Sequence, residues 1–320
     1  MEHAPIFIAA CRRPFHLRKL LESLQANPES KNSNIYIVVG GPKNFVDWPM
    51  VYETIKIATS TQGFLNVYVY ERPELLTGSS LIHFCVEEAF KSHERVIILE
   101  DDLSVRADFL HYMNLALEFY RENEKVVQIS GWNFGTISSG NPQATYLFPI
   151  SIPWGWATWK RAWVDKPPTK ENFEWLTQKN SRIKRFNFEG NYNCIGMIEA
   201  ILEKNYDAWD AACYLDNFRN GKLIVYPNSS LVLNNGFDGS GLNFQNNFSW
   251  SDGSLEPPQP NFTFKSNMQI SKEYKTFLRF HAKWVCKSFG WKRSTLVLDK
   301  ILRLVRQHLK YCKKGYYLGT

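Results

Sequence analysis

Short apolar runs alternate with amphipathic stretches through the first half of the chain. The apolar runs predict strands at residues 5–10, 35–39, 65–70, 95–99 and 126–130. Between them, apolar residues recur at helical spacing and predict helices within residues 17–26, 48–59, 79–91 and 109–119. Strands that alternate with helices predict an α/β fold, with a mostly parallel, Rossmann-like sheet flanked by helices.

The second half of the chain is less regular. A Trp-rich block at 153–163 predicts a helix from about residue 158, and later patterns predict helices over 197–204 and 209–220 and a strand over 223–227. Loops are expected where Gly, Ser and Asn concentrate, at 134–147 and 234–254, while 165–193 is simply polar. The run Pro257-Pro258-Gln259-Pro260 is typical of a linker. We therefore predict one domain over 1–255 and a separate extension over 256–320.

The composition is that of an ordinary globular protein, with 44% hydrophobic and 22% charged residues. The six cysteines are scattered and show no CxxC spacing, so neither a zinc site nor a disulfide framework is indicated. The sequence shows neither a signal peptide nor a membrane-spanning apolar run. We expect a cytoplasmic protein.

The net charge of +7 is concentrated at the end of the chain. Residues 277–320 hold 11 Lys and Arg and one acidic residue, so this tail carries +10 and the remainder −3. Leu and Ile alternate with Lys and Arg over 296–310, which predicts a basic amphipathic helix that can bind an anionic membrane surface. The alternative is a helix docked on its own domain with a solvated basic face. Nucleic acid is not expected as a partner, because the rest of the chain is acidic and lacks a nucleic-acid motif.

Three acids follow the buried strand Val96–Leu99, namely Glu100, Asp101 and Asp102. In open α/β sheets, ligands bind outside the carboxyl ends of the strands, where these side chains should lie. Adjacent carboxylates repel one another unless a positive charge sits among them, and Mg²⁺ or Mn²⁺ favours such oxygens. The alternative is a solvated turn in which Asp102 caps the next helix.

The order of several motifs resembles a known family. A strand ending in Ala-Cys-Arg-Arg precedes the strand ending in Glu-Asp-Asp-Leu, and Gly131-Trp132-Asn133 and the Trp-rich block follow. This arrangement resembles the GT-A glycosyltransferases over about residues 4–245. It is most similar to the N-acetylglucosaminyltransferase I type and to bacterial polysaccharide and lipopolysaccharide glycosyltransferases. The resemblance implies a GT-A fold that binds a nucleotide-sugar, with a UDP-sugar favoured, together with Mn²⁺ or Mg²⁺.

The resemblance also implies roles for individual residues. By position in the motif, Asp102 would contact the metal, and Asp101 and Glu100 would lie on the sugar or ribose side of the donor. The other positions implied for nucleotide-sugar binding are Ala10, Arg13, Gly78, Ser79 and Trp156. For Arg13 the alternative is an ordinary surface arginine, whereas Gly78 and Ser79 open a helix whose N-terminus would suit an anion.

Inverting sugar transfer needs a base that takes the proton of the acceptor hydroxyl, and a carboxylate is the usual group. The family carries an Asp two residues before a Trp at this point, which matches Asp207 before Trp209. Asp210 is the second candidate, because in a helix it would lie on nearly the same face as Asp207. Either residue could instead cap the helix predicted over 209–220.

A glycine-rich segment, 236–241, resembles the closing loop of the bacterial relatives. Those relatives often carry His where this chain has Phe237 and Asn243, so the late-loop contact would fall to Asp238 or Asn243. The implied function is inverting, metal-dependent transfer of a sugar to a glycan acceptor in surface polysaccharide or glycolipid synthesis, at the inner face of the cell membrane. The alternatives are a sugar nucleotidyltransferase, although no glycine-rich loop follows the first strand, and a non-catalytic carbohydrate-binding or scaffold protein.

Overall fold

The structure is a computed structural model that describes residues 3–42, 44–72, 78–138, 140–163, 169–203, 209–240, 255–259 and 261–280. These residues fall into two compact units. The sheet unit holds the described residues of 1–148, 152–163 and 223–270, and the helical unit holds those of 149–151, 164–222 and 271–320.

The strands that the structure describes all belong to the sheet unit. They are β1 (Ile6–Ala10), β2 (Asn34–Val39), β3 (Asn66–Glu71), β4 (Arg95–Glu100), β5 (Leu103–Val105), β6 (Val126–Ser130), β7 (Thr145–Phe148), β8 (Trp156–Trp159), β9 (Leu223–Pro227) and β10 (Val232–Asn234). Eight of these strands form one sheet in the order β3-β2-β1-β4-β8-β6-β9-β7, and β10 pairs with β5. β3, β2, β1 and β4 are mutually parallel, as are β6 and β9, whereas β8 and β7 are antiparallel to their neighbours. The predicted mostly parallel α/β sheet is confirmed.

The helices of the sheet unit follow the predicted apolar pattern. They are α1 (Pro14–Gln25), α2 (Trp48–Thr59), α3 (Gly78–Ala89) and α4 (Phe109–Phe119). Helix α1 begins at Pro14, whose missing N–H costs nothing in the first turn, and its four leucines are buried at helical spacing. β1 is buried at every position, as expected for a strand covered on both faces.

The helical unit contains α5 (Lys170–Thr177), α6 (Asn180–Phe186), α7 (Cys194–Leu202) and α8 (Trp209–Arg219). Phe186 stacks on Tyr214 with ring centroids 4.5 Å apart, which joins α6 to α8. Helices α5 and α6 lie in the polar segment 165–193, where no helix was predicted. Their buried apolar residues are few, so the helical pattern is faint in the sequence.

The helix predicted from about residue 158 is wrong. Residues Trp156–Trp159 form β8 instead, antiparallel to β4 on one side and to β6 on the other. All four side chains of β8 are buried in the middle of the sheet, and Trp159 Nε1 donates to the carbonyl oxygen of Leu117 at 3.2 Å. Because both faces of this four-residue strand are buried, its sequence lacks the alternation of apolar and polar residues that predicts a strand.

Two further differences concern segments expected to be irregular. The predicted loop 134–147 ends in β7, which pairs antiparallel with β9. The proposed capping of a helix by Asp102 is also wrong, because β5 follows it and α4 begins only at Phe109, after Asp108.

The predicted C-terminal extension is described only in part. The main-chain N–H of Gln259 in the expected linker donates to Asp108 Oδ2 at 2.7 Å, and that of Thr145 donates to the carbonyl oxygen of Thr263 at 3.1 Å. The basic helix predicted at 296–310 lies outside the described residues, and the domain boundary at 255 stays a prediction. None of the helices in the part that the structure describes is long and apolar enough to cross a membrane.

Candidate functional site

The candidate site lies where the order of the parallel strands reverses. The chain passes from β1 to β2 and β3 on one side, whereas β4 pairs with the other edge of β1. Glu100 at the end of β4 is in register with Ala9 of β1, so the residues after these two strands emerge together. Such a reversal leaves a crevice beyond the carboxyl ends of the strands, which is where open α/β sheets bind ligands.

Arg13 joins the two aspartates that follow β4. Its Nη1 donates to Asp102 Oδ2 at 2.8 Å, and its Nη2 donates to Asp101 Oδ1. Burial alone would lower the pKa of Arg13, but the two carboxylates raise it above its ordinary value. Sequence reasoning expected a metal as the positive charge among these acids; in the structure Arg13 supplies one.

Asp101 is the more deeply buried of the two aspartates, with 2% of its surface exposed. Its Oδ2 accepts from the main-chain N–H of Cys11 at 3.2 Å, so both carboxylate oxygens bond to the segment after β1. Burial raises the pKa of Asp101 above its ordinary value, although Arg13 acts in the opposite direction. Asp101 therefore fixes the turn after β1 against the end of β4.

The two carboxylate oxygens of Asp102 differ in their contacts. Its Oδ2 is held by Arg13, but its buried Oδ1 has no hydrogen-bond partner among the described residues. A buried carboxylate oxygen without a partner is costly, so it needs a ligand, a water or an ion. The carboxylate is thus positioned by Arg13 with its second oxygen available.

The segment 232–240 lies against Asp102. β10 pairs with β5, and the main-chain N–H of Asn235 donates to the Asp102 carbonyl oxygen at 2.8 Å. The Asn235 side chain also donates to Ser104 Oγ at 2.9 Å. A Cβ built at Gly236 would lie 2.1 Å from Asp102 Oδ2, so only glycine fits without a shift. Sequence reasoning recognised this segment as a loop but missed the close contact of Gly236.

Phe237 and Asp238 continue the same segment. Phe237 is 5% exposed and meets Trp154 edge to face, with ring centroids 5.8 Å apart. Asp238 Oδ2 lies 3.1 Å from Nε2 of His16, a residue that sequence reasoning did not select. Partial burial raises the pKa of Asp238, but hydrogen bonds from Ser240 and the charge of His16 bring it below its ordinary value. Asn243, the other residue considered for a late-loop contact, lies outside the described residues.

The remaining predicted binding residues are spread over the sheet unit. Ala10 ends β1, and its carbonyl oxygen accepts from the Gly40 N–H at 2.9 Å. Gly78 and Ser79 open α3, as expected. Trp156 is 2% exposed within β8 and stacks on Trp163, with ring centroids 5.9 Å apart. The donor-binding roles assigned to these residues stay predictions.

Of the two candidate bases, the structure describes one. Asp210 lies in the first turn of α8, in the helical unit, where a negative charge suits the helix dipole. Burial raises the pKa of Asp210 above its ordinary value, which makes this carboxylate a stronger base. Asp207 lies outside the described residues, so the choice between the two stays open.

A divalent cation requires several ligand atoms at one site. No group of three His, Cys, Asp or Glu in the described ranges could hold a metal ion by itself. Mg²⁺, however, is usually bound through one or two carboxylates together with substrate phosphates. The spare Oδ1 of Asp102 would fit that arrangement.

The fold and the site together define an α/β protein with a candidate acidic site where the order of its parallel strands reverses. The chain is similar to alpha-1,3-mannosyl-glycoprotein 2-beta-N-acetylglucosaminyltransferase of Arabidopsis thaliana, with 25% identity over 185 residues. The match covers 55% of this chain and 41% of the relative, so the chain spans less than half of that protein's length. The resemblance predicted from the sequence motifs is thereby confirmed. No family model matches the chain.

The chain also shows similarity at low TM-scores to solved structures. One is a cytidylyltransferase from Leptospira borgpetersenii, with a TM-score of 0.32 and 13% identity, covering 50% of this chain and 61% of that chain. Another is the mannosyltransferase PcManGT from Pyrobaculum calidifontis in complex with GDP-Man and Mn²⁺, with a TM-score of 0.37 and 10% identity. That match covers 68% of this chain and 70% of the mannosyltransferase chain. Likeness at these TM-scores is too low to assign a ligand to this chain.

Proposed function

We propose that the chain is a glycosyltransferase that moves a sugar from a nucleotide-sugar donor to a glycan acceptor. The reaction is inverting and depends on a divalent metal, the donor is a UDP-sugar, and the product serves surface polysaccharide or glycolipid synthesis. The observation that carries this proposal is the Asp102 carboxylate, held by Arg13 at the switch point of the sheet with Oδ1 left over. The similarity to an N-acetylglucosaminyltransferase supports the reaction class.

Each residue of the site has a part in this proposal. Arg13 holds Asp101 and Asp102 in fixed positions, so that little ordering is needed when the donor binds. Asp102 Oδ1 would hold Mn²⁺ or Mg²⁺ next to the donor diphosphate, and the bound cation would neutralise the charge of the departing nucleoside diphosphate. Gly236 lets the main chain approach this carboxylate closely.

The acceptor side of the reaction needs a base. Asp207 or Asp210 would accept the proton of the acceptor hydroxyl. The hydroxyl oxygen would at the same time attack the sugar carbon from the face opposite the leaving group. The proton moves to the carboxylate, and the bond to the diphosphate breaks as the new glycosidic bond forms. The burial that raises the pKa of Asp210 makes it a stronger base than an exposed aspartate, which supports it for this role.

The place of the reaction is also part of the proposal. We infer that the enzyme is cytoplasmic and peripheral at the inner face of the cell membrane, where the basic C-terminal tail would bind anionic lipid. Two other functions remain as alternatives, a sugar nucleotidyltransferase and a non-catalytic carbohydrate-binding protein.

A thermal-shift measurement tests the donor site. The full chain is heated with UDP, GDP or CMP, each with and without Mn²⁺. A nucleotide at 100 times its Kd adds about 2.7 kcal/mol to the free energy of unfolding, which raises Tm by roughly 4 °C for a chain of this length. We expect this rise with UDP and Mn²⁺ together, and its loss in Asp102→Asn.

The control variant is Glu122→Gln, which removes an acid that is 85% exposed in the segment after α4. It should keep the full response. No rise with any nucleotide would refute the donor site and leave the carbohydrate-binding alternative. Release of pyrophosphate from a nucleoside triphosphate and a sugar 1-phosphate would instead identify a nucleotidyltransferase.

A further inference from the structure

Five large apolar side chains are exposed in an eight-residue stretch of the sheet unit. Phe45 is 88% exposed and Val46 is 80% exposed; the others are Trp48, Met50 and Tyr52, which are at least 40% exposed. We name these five residues the aromatic ridge. Soluble proteins seldom expose apolar side chains in such a group unless the surface contacts a partner or a membrane.

The core does not account for the ridge. Helix α2 packs on the core through Val51, Thr54, Ile57 and Ala58, so none of the ridge residues is needed to hold the helix in place. Phe45 begins a turn of 3₁₀ helix that ends at Asp47, immediately before α2. The exposed apolar side chains of the ridge are therefore additional to the core contacts of α2.

An ion pair connects the ridge to the candidate site. Asp47, which lies between Val46 and Trp48, accepts from Arg12 Nη1 at 2.9 Å. Arg12 is the chain neighbour of Arg13, which holds the two aspartates of the site. A surface bound by the ridge would thus lie close to the carboxyl ends of β1 and β4.

Basic and aromatic residues adjoin the ridge on α1, which packs against α2. Phe15 is 62% exposed, and Lys19 Nζ lies 4.5 Å from the centre of its ring. Arg18 is exposed beside them on the same helix. The exposed cations of α1 and α2, Arg18, Lys19 and Lys56, outnumber the acids Glu22 and Glu53, so the surroundings of the ridge carry a small net positive charge.

We propose that the aromatic ridge inserts into the interface of an anionic phospholipid bilayer. Trp and Tyr favour the level of the headgroups, where an apolar ring and a polar edge are both satisfied, and Phe45 and Val46 would reach deeper. Five exposed apolar side chains in one short stretch offer a bilayer an apolar group that can enter its interface. Arg18 and Lys19 would add attraction to anionic headgroups.

This surface is independent of the C-terminal tail and of the proposed transfer reaction. It would place the candidate site at the membrane even if the tail bound elsewhere. An acceptor carried on a lipid would then be presented to the site from the bilayer.

Sedimentation with lipid vesicles tests the proposal. The full chain is mixed with vesicles of phosphatidylcholine and phosphatidylglycerol at low and at high salt. High salt screens the electrostatic part of tail binding but leaves apolar insertion largely intact. We expect Phe45→Ser/Val46→Ser to partition about tenfold more weakly than the unaltered chain at both salt concentrations, which corresponds to about 1.4 kcal/mol.

Phe119→Ser is the matched control, because Phe119 is 51% exposed on α4, away from the ridge. This variant should bind vesicles as the unaltered chain does, and all variants should keep the same Tm and the same response to nucleotide. Equal vesicle binding by the ridge variant and the control would overturn the proposal, as would no binding by the unaltered chain. Self-association that the ridge variant abolishes, without vesicle binding, would also overturn it and identify a second copy as the partner.

Discussion

The contact between Gly236 and Asp102 gives the sharpest test of the candidate site. In Gly236→Ala the new Cβ would lie 2.1 Å from Asp102 Oδ2 and 2.9 Å from its Cγ, whereas ordinary contact begins at 3.4 Å. Either the carboxylate or the main chain must move by about 1.3 Å, the difference between these limits. Movement of the carboxylate would break its 2.8 Å hydrogen bond with Arg13.

Movement of the main chain would be costly as well. It would break the bond from the Asn235 N–H to the Asp102 carbonyl oxygen and the bond from the Gly236 N–H to Asn234 Oδ1, each 2.8 Å long. Two hydrogen bonds contribute about 1–3 kcal/mol in total, which is also the usual cost of overpacking. We expect the free energy of unfolding to fall by about 2 kcal/mol and Tm by roughly 3 °C.

The assay is thermal unfolding with and without UDP and Mn²⁺. Gly236→Ala should lower Tm and also remove the stabilisation by nucleotide, because the Asp102 carboxylate no longer keeps its position. Gly140→Ala is the control, since its added Cβ would come no closer than 3.8 Å to the nearest atom. A Gly236→Ala protein with the Tm and nucleotide response of the Gly140→Ala protein would refute the reasoning.

Three further substitutions test other parts of the structure through urea unfolding. Asp108→Asn leaves Arg106 buried without its bidentate partner and should cost about 3–5 kcal/mol. Phe237→Ala empties the space against Trp154 and should cost about 3 kcal/mol. Burial raises the pKa of Asp210 above 3.8, so its ionisation opposes folding and stability falls as pH rises past that value. Asp210→Asn should therefore be more stable than the unaltered chain near pH 7 and nearly equal to it near about pH 3.

Exposed counterparts serve as controls for these three variants. Glu53→Gln removes a surface ion pair with Lys56 and should change the free energy of unfolding by less than about 0.5 kcal/mol. Phe119→Ala removes a ring that is largely exposed and should cost much less than Phe237→Ala. An Asp108→Asn cost as small as that of Glu53→Gln would contradict the buried pair. An Asp210→Asn effect that does not vary with pH would contradict the raised pKa.

The main sheet and its covering helices could be predicted because their patterns are local. The leucines of α1 recur every three or four residues, and β1 and β4 are continuous apolar runs, so each segment shows its own structure. β8 could not be predicted in this way. It is short and buried on both sides, and its partners lie more than twenty residues away in the chain, so only the assembled sheet shows that it is a strand.

The positions of the site residues could be predicted only as far as the strands that carry them. Arg13 and Asp102 each follow a predicted strand of a mostly parallel sheet, so both were expected at the same edge of the sheet. That β1 and β4 are neighbours is seen only in the assembled sheet. The contact of Gly236 with Asp102 depends on the pairing of β10 with β5, which joins segments more than a hundred residues apart. No local pattern marks that pairing. The ion pair between Asp238 and His16 depends on the same long-range placement.

The position of β8 has a consequence for how the chain assembles. β8 is the only link among the described strands between β4 and β6, and therefore between the parallel half of the sheet and the half that contains β9 and β7. Until residues 156–159 have left the ribosome, β4 and β6 each present an unpaired apolar edge. Such edges pair readily with other chains, so fragments that end before Trp156 should aggregate, and the nascent chain should depend on chaperones over this interval.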